Sequence, residues 1–390
     1  MKLALALCLA SAAVASAMSC EDMTVPVSIS ARNGVFNLPP PASEIDVTNL
    51  FLGLSRPGNN QTADLLQGVR LPSAASPTPI AYETVSGSYR LAATYCQPDD
   101  GPGHTLQILT HGVGFDRSYW HFPFNDYNYS YVAEAVAAGY STLSWDRLGI
   151  GRSSHGGPVN EIQLFLEVAA LEALTRLARN GSLWDEPRRF NRTVHLGHSF
   201  GSAMTYSLSA MRPDVTDAIV LTGFSQVPQF MPYFALGGHF SPVKNIDLLA
   251  RHYAEGYIAP KDSIGVHINF FGPGDFDPEI LDAATKTGQP AAVGELLTVG
   301  STPATSNFAG PVMIITGDGD VPFCGGNCMN TAAIHGSSPN LIDYSRKSFK
   351  SASVFKATIV PGAGHNLNYA YSAHQTYRSI LDFIDANTRR

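Results

Sequence analysis

The chain has 390 residues, 44% of them hydrophobic and 15% charged, with Lys+Arg 25 against Asp+Glu 32. That apolar content excludes a disordered chain, and the length gives interior enough for one large domain or two modest ones. A formal net charge of -7 excludes the basic face that a general nucleic-acid binder needs, so no nucleic-acid partner is expected.

Residues 1–17 read as a signal peptide. Lys2 gives a positive start, residues 3–14 are mostly apolar, and Ala15-Ser16-Ala17 offers small residues at the cleavage positions. The run is too short to cross about 30 Å of hydrocarbon. No later stretch reaches the length of a membrane span, so no integral membrane segment is expected and the mature protein is expected to be secreted and extracellular.

Cysteine usage agrees with export. Cys8 leaves with the signal, and Cys20, Cys96, Cys324 and Cys328 remain as disulfide candidates. Four cysteines can pair in three ways. The close spacing of Cys324 and Cys328 favours a local bridge, which leaves Cys20 to tie the mature N-terminus to Cys96. Neither pair has His or Cys partners at ligand spacing, so no metal site is expected. Asn60, Asn128, Asn180 and Asn191 stand in sequons and are candidate glycosylation sites.

In chain order, residues 18–87 form an N-terminal unit. A strand over 24–30 alternates apolar and polar residues, and a proline-rich segment over 39–79 reads as an irregular wrap with a short apolar patch at 50–54. A first core unit spans 88–225. Strands are predicted over 88–96, 105–110, 140–145, 192–196 and 217–221, and helices over 131–138 and 200–211. A further helix starts near Asn160, which with Gln163 makes a plausible capping pair, and Gly181 suits its end. A second core unit, 306–390, holds strands over 312–316 and 354–360 and a closing amphipathic helix over 373–384. Alternating strands and helices predict an α/β protein, a mostly parallel sheet covered on both faces.

An insertion over 226–305 interrupts the rhythm; the roughly ninety residues between neighbouring core strands far exceed an ordinary connection. Helices are expected over 246–257 and 279–284, with an aromatic cluster of Phe230, Tyr233, Phe234 and Phe240. At the carboxyl edge of a parallel sheet, where ligands bind, an insertion reads as a lid.

The sharpest chemical signal is Gly197-His198-Ser199-Phe200-Gly201 between a predicted strand and a predicted helix. A serine there occupies a strained turn that lifts its hydroxyl above the sheet, and the flanking glycines avoid collisions between strand and helix. From about residue 88 onward the chain resembles the α/β-hydrolase superfamily, specifically its lid-bearing serine hydrolases, and is similar to secreted fungal members. The resemblance implies the α/β-hydrolase fold and a nucleophile, an acid and a histidine in that chain order. Ser199 is the implied nucleophile. Gly317-Asp318-Gly319-Asp320 resembles the family's acid turn and points to Asp320, with Asp318 as the rival. Pro361-Gly362-Ala363-Gly364-His365 resembles its histidine loop and points to His365.

The chemistry of the trio stands apart from the name. A serine hydroxyl attacks at neutral pH only when an imidazole takes its proton. The imidazole needs a carboxylate behind it to hold its tautomer and stabilise the imidazolium. A developing oxyanion needs backbone donors. The Phe200 amide, after the nucleophile, is one; the turn His111-Gly112-Val113-Gly114 resembles the family's second donor and points to Val113. His111 and the Asp146-Arg147 turn are read as structural. Seven aromatic residues between 119 and 131 follow the oxyanion turn, and of these Trp120 and Phe122 are expected to border the substrate pocket together with Phe230 and Phe234.

Other chemistries lack their motifs. The chain has no H-E-x-x-H, no phosphate-binding G-x-x-x-x-G-K-[ST] and no C-x-x-C, and Gly149-Ile150-Gly151 lacks the third glycine of a dinucleotide site, so no cofactor is expected. The reading is a serine hydrolase cleaving a small-molecule ester or lipid-like substrate with an apolar or aromatic acyl group. The same trio also serves cleavage, lactonisation or acyl transfer on a secondary-metabolite intermediate. A non-enzymatic binding protein of the same fold would need no reactive Ser199.

Overall fold

A computed structural model describes residues 18–55, 81–185 and 188–388. Asn60 and the signal segment lie outside the described residues.

Eleven strands are present among the described residues, eight of them in one sheet. β1 (Met18–Gly34) and β2 (Tyr82–Pro98) form an antiparallel ribbon paired along their whole length. The alternation read at 24–30 buries Val25, Val27 and Ile29 on one face. Cys20 and Cys96 stand directly opposite in that register and are disulfide-bonded. Between these strands the segment taken for an irregular wrap contains α1 (Glu44–Leu54), opened by a capping box between Ser43 and Asp46. Val47, Leu50, Phe51 and Leu54 fall at i, i+3, i+4 and i+7 and give it one apolar stripe.

β3 (Thr105–Thr110), β4 (Ser141–Trp145), β5 (Arg192–His198), β6 (Ala218–Thr222), β10 (Val312–Gly317) and β11 (Phe355–Val360) continue the sheet in the order β1-β2-β4-β3-β5-β6-β10-β11. From β4 to β11 every pairing is parallel. β3, β4, β6 and β10 are buried along their whole length, as expected of strands covered on both faces. Helices α2 (Tyr131–Ala137), α3 (Leu164–Arg179), α4 (Phe200–Met211) and, at the end of the chain, α9 (Ala373–Thr388) cover those faces. The strand order reverses between β3 and β5, so a crevice opens beyond their carboxyl ends.

The expected cap of α3 is different. Gln163 is its N-cap residue but makes no capping bond. Its side chain instead binds the backbone of Gly34, and Asn160 accepts from the Phe36 amide, so both serve to fasten the N-terminal segment. The free Leu164 amide is taken by Thr298 Oγ1 from the insertion, 3.0 Å away.

The insertion occupies 223–311. It carries a small antiparallel sheet, β7 (Phe240–Pro242), β8 (Tyr257–Pro260) and β9 (Ala291–Ala292), with helices α5 (Met231–Gly237), α6 (Ser263–Phe270), α7 (Pro278–Thr287) and α8 (Val293–Thr298). The helix expected over 246–257 is absent. Those residues form successive turns, and Tyr257 begins β8, buried against the core. The predicted helix over 279–284 is the middle of α7.

Candidate active site

Residue types around Ser199 are dictated by close approach. At the end of β5 the chain turns directly into α4, and Ser199 adopts φ 56° and ψ -117°. A non-glycine residue in that region costs about 1–3 kcal/mol. A Cβ at Gly197 would lie 2.3 Å from the Gly201 carbonyl oxygen, and one at Gly201 would lie 2.3 Å from that of Thr110. The loop after β3 passes as closely: a Cβ at Gly112 would lie 2.7 Å from Ser199 Cβ. Gly112 therefore brings Val113 beside the serine.

His111 is fixed at both nitrogens. Its Nε2 accepts from the Arg147 amide at 3.0 Å, and its Nδ1 donates to the Gly112 carbonyl at 2.9 Å. Burial, reinforced by Arg147, holds its pKa well below the usual imidazole range. A neutral ring here braces the loop. Among the described residues neither the Val113 amide nor the Phe200 amide donates to a protein acceptor.

His365 and Asp320 meet from two loops at the sheet's carboxyl edge. Nδ1 of His365 donates to Asp320 Oδ2 at 2.8 Å, with both side chains fully buried. The same carboxylate accepts from Thr316 Oγ1 at 2.5 Å and from the Phe323 amide at 2.9 Å. With Nδ1 committed to Asp320, Nε2 keeps its lone pair, and that atom is buried without a hydrogen-bond partner. Phe323 stacks on the ring at 5.6 Å between centroids, and Phe270 at 6.0 Å. Asp318 faces elsewhere: half-buried, it accepts from the Gly362 amide at 3.0 Å. Cys324 and Cys328 are bonded to each other, closing the turn that follows Asp320.

His198 is a third imidazole here, 4.8 Å from His365 between ring centroids and stacked on Tyr119 at 4.4 Å. Thr222 Oγ1 donates to the Gly197 carbonyl, so it accepts from His198 Nδ1 at 3.1 Å. Burial, with His365 and His111 adding to it, keeps its pKa well below the ordinary value.

A cavity of about 370 Å³ opens on Ser199, Val113 and Phe200. No charged residue lines it, and its walls include Phe234 and Met231 from the insertion and Leu296 and Leu297 from α8. Phe323, which stacks on His365, also lines it.

Of the four pocket aromatics expected from sequence, the structure brings only Phe234 to this cavity. Trp120 is fully buried and packs edge-on against Tyr119 and Tyr131. Phe122 is buried too, stacked on Tyr369 at 4.5 Å. Within the 119–131 segment Tyr119, Trp120, Phe122, Tyr129 and Tyr131 are spent on the core, and Tyr127 is exposed. Phe230 sits against the Gly325 turn, where a Cβ would lie 2.6 Å from its ring. Tyr233 is exposed, and Phe240 packs between Phe51 and Phe234. Asn128, Asn180 and Asn191 are exposed.

Sequence reasoning missed α1, which contributes Phe51, Leu54 and the following Ser55 to the cavity wall. The signal was present, because the S-x-x-D pattern at Ser43 and the i, i+3, i+4, i+7 stripe both mark a helix. It also missed a buried charge cluster, in which Arg147 pairs with Glu167 of α3 at 2.6 Å and with Glu295 of α8. The Arg147 guanidinium lies over the Phe200 ring, 4.7 Å from its centroid. Among the described residues no group of three or more His, Cys, Asp or Glu side chains is placed to hold a metal ion, and no helix is long and apolar enough to cross a membrane.

The description "Alpha/beta hydrolase family" fits residues 107–377, most of the chain, and the chain belongs to that family. No curated protein matches it. Among solved structures it is similar to a thermophilic esterase from Thermogutta terrifontis in a malate-bound form, with 13% identity and a TM-score of 0.51 over 77% of this chain and 94% of that one. It is also similar to Rv0554 from Mycobacterium tuberculosis, with 16% identity and a TM-score of 0.50 over 77% and 96%. At such identities the likeness concerns the fold, an α/β-hydrolase sheet with its helices.

Proposed function

We propose that this protein is a secreted serine hydrolase that cleaves carboxylic esters carrying an apolar or aromatic acyl group. The observation that carries the reading is that Ser199 and two unspent amides open on one uncharged cavity, whose lining residue Phe323 stacks on His365, itself paired with Asp320. In the proposed reaction His365 Nε2 takes the proton of Ser199 Oγ as that oxygen attacks the ester carbonyl. The carbonyl oxygen gains negative charge and accepts from the Val113 and Phe200 amides, which need no reorganisation to meet it. His365 then returns the proton to the departing alcohol, leaving the acyl group on Ser199. A water, deprotonated by the same imidazole, attacks the acyl-enzyme and regenerates the serine. Asp320 holds the Nδ1–H tautomer throughout and stabilises the imidazolium.

The uncharged wall supports a neutral acyl group over a charged one, since an ion there would lose its hydration without a partner. The insertion acts as the lid over this cavity. Two disulfides and the exposed sequon residues Asn128, Asn180 and Asn191 support an extracellular setting. The test is a panel of p-nitrophenyl esters of graded acyl length, run beside fluorophosphonate labelling. Ser199-dependent cleavage with preference for apolar acyl groups over acetate is expected. Folded protein that neither labels nor cleaves would remove the reading.

A further inference from the structure

The family match begins at residue 107, yet part of the wall above Ser199 is built by chain that precedes it. α1 enters the cavity with its last turn, where Phe51, Leu54 and the following Ser55 face the lining from the insertion. It is held firmly enough to shape a substrate. Upstream, Asn33 donates to the carbonyls of Asn160 and Glu161, and Gly34 and Phe36 bind Gln163 and Asn160. Along the helix, Glu44 pairs with Lys261 at 2.8 Å, and the Phe51 ring lies 5.1 Å from that of Phe240, which in turn lies 5.3 Å from Phe234. The opposite face, with Ile45 and Leu52, is exposed.

The part of the substrate that meets this wall follows from the reaction geometry. A departing alcohol takes its proton from His365 and must leave on the histidine side. The cavity is lined by Ser199 and both oxyanion donors, with Phe323 of its wall stacked on His365, and it is read as receiving the portion that stays on the serine, the acyl group. We propose that α1 is the acyl-specificity element of this hydrolase, with Phe51 and Leu54 setting the length of the neutral acyl chain that Ser199 accepts. The inference rests on the ester-hydrolase reading above and adds a determinant that lies outside both the family core and the insertion.

The experiment uses the full chain and compares Leu54→Phe, Leu54→Ala and the control Leu52→Ala on p-nitrophenyl butyrate and octanoate. Leu54 is half-buried at the end of the helix, so both substitutions there leave the core intact, and melting curves verify it. Leu54→Phe narrows the cavity and should lower the octanoate-to-butyrate ratio of kcat/KM about tenfold, the scale on which apolar pockets discriminate neighbouring chain lengths. Leu54→Ala should raise the ratio, and Leu52→Ala should leave it at the wild-type value. Ester cleavage with a ratio that none of the variants moves overturns the inference and leaves the hydrolase reading standing. Parallel labelling with short- and long-alkyl fluorophosphonates separates the opposite case. If no ester is cleaved but the Leu54 variants shift the chain-length dependence of Ser199 labelling, the wall assignment holds and the ester reading falls.

Discussion

Asp320→Asn changes one atom in a buried carboxylate that accepts from three donors: His365 Nδ1, Thr316 Oγ1 and the Phe323 amide. An Asn that keeps its oxygen toward the Phe323 amide turns its NH2 group against two donors. One that flips leaves the Phe323 amide facing NH2. His365 can relieve the first clash only by moving its proton from Nδ1 to Nε2, and Nε2–H has no lone pair with which to receive the Ser199 proton. The expected loss is ~10⁴-fold in kcat at neutral pH, the scale of a wrong-tautomer triad. Stability should fall by about 1–3 kcal/mol as charge-assisted hydrogen bonds are lost. Asp318→Asn is the internal control: its carboxylate accepts from one amide, Gly362, and an Asn oxygen accepts as well. Continuous release of p-nitrophenol from the butyrate ester, with a melting curve for each variant, reads both effects. An Asp320→Asn enzyme within tenfold of wild type beside a crippled Asp318→Asn would refute the assignment.

His111 and His198, both held well below the ordinary imidazole range, and His195, pushed down to about 3 by burial, are neutral when folded and take up protons when unfolded. Stability should therefore be lost as pH falls below about 6.5, by about 1.4 kcal/mol per pH unit for each histidine, and melting curves between about pH 7 and pH 4 measure the slope. Glu167 has the opposite sign: burial, aided by Glu295 against the pull of Arg147, raises its pKa well above the carboxylate range. The folded state keeps a proton that the unfolded chain releases, so this contribution is lost as pH rises, and Glu167→Gln should gain Tm relative to wild type across that rise. The bridge Cys20–Cys96 closes a loop of sequence separation 76 and Cys324–Cys328 one of 4, so Cys20→Ser with Cys96→Ser should lower stability more than the second pair does. The chain-entropy limit for the long loop is about 4 kcal/mol, and denaturant titration checks the order.

The parallel core was legible because its strands are short apolar runs bounded by turn residues, and the helix over 200–211 is bounded by Ser199 and Pro213. Ser199, Asp320 and His365 stand at strand ends, where local sequence marks them. Gly197 and Gly201 were legible for a related reason, since backbone packs where their side chains would be. The pocket was not legible. Trp120 and Phe122 have the same chemistry whether they line a cavity or fill a core, and only the path of the chain after Tyr119 decides between them. The 246–257 stretch failed similarly: its apolar residues match a helical period, but Tyr257 is spent in the small sheet. Phe51 and Leu54 were hidden by the prolines around α1, which made a capped helix look like loop.

Why the insertion and the face that bears Ser199 form one unit can be traced to Arg147. It follows β4, and its backbone amide fixes His111 and hence the loop that carries Val113. Its guanidinium covers Phe200, the residue after Ser199, while it donates to both Glu167 in the core and Glu295 in the insertion. Burying such a group is costly, and a hydrophobic replacement of similar shape often serves stability as well or better. Stability alone therefore does not account for it. What the cluster supplies is position: α8 is joined to the core at Arg147, at the Leu164 amide through Thr298, and at the Pro158 carbonyl through the Gly294 amide. Those fastenings place Leu296 and Leu297 in the same cavity wall as Val113 and Phe200. The cavity wall and the loop that carries Val113 are thus fixed to the same residue, and in the proposed reaction that shared anchor would hold the wall at a set distance from Ser199.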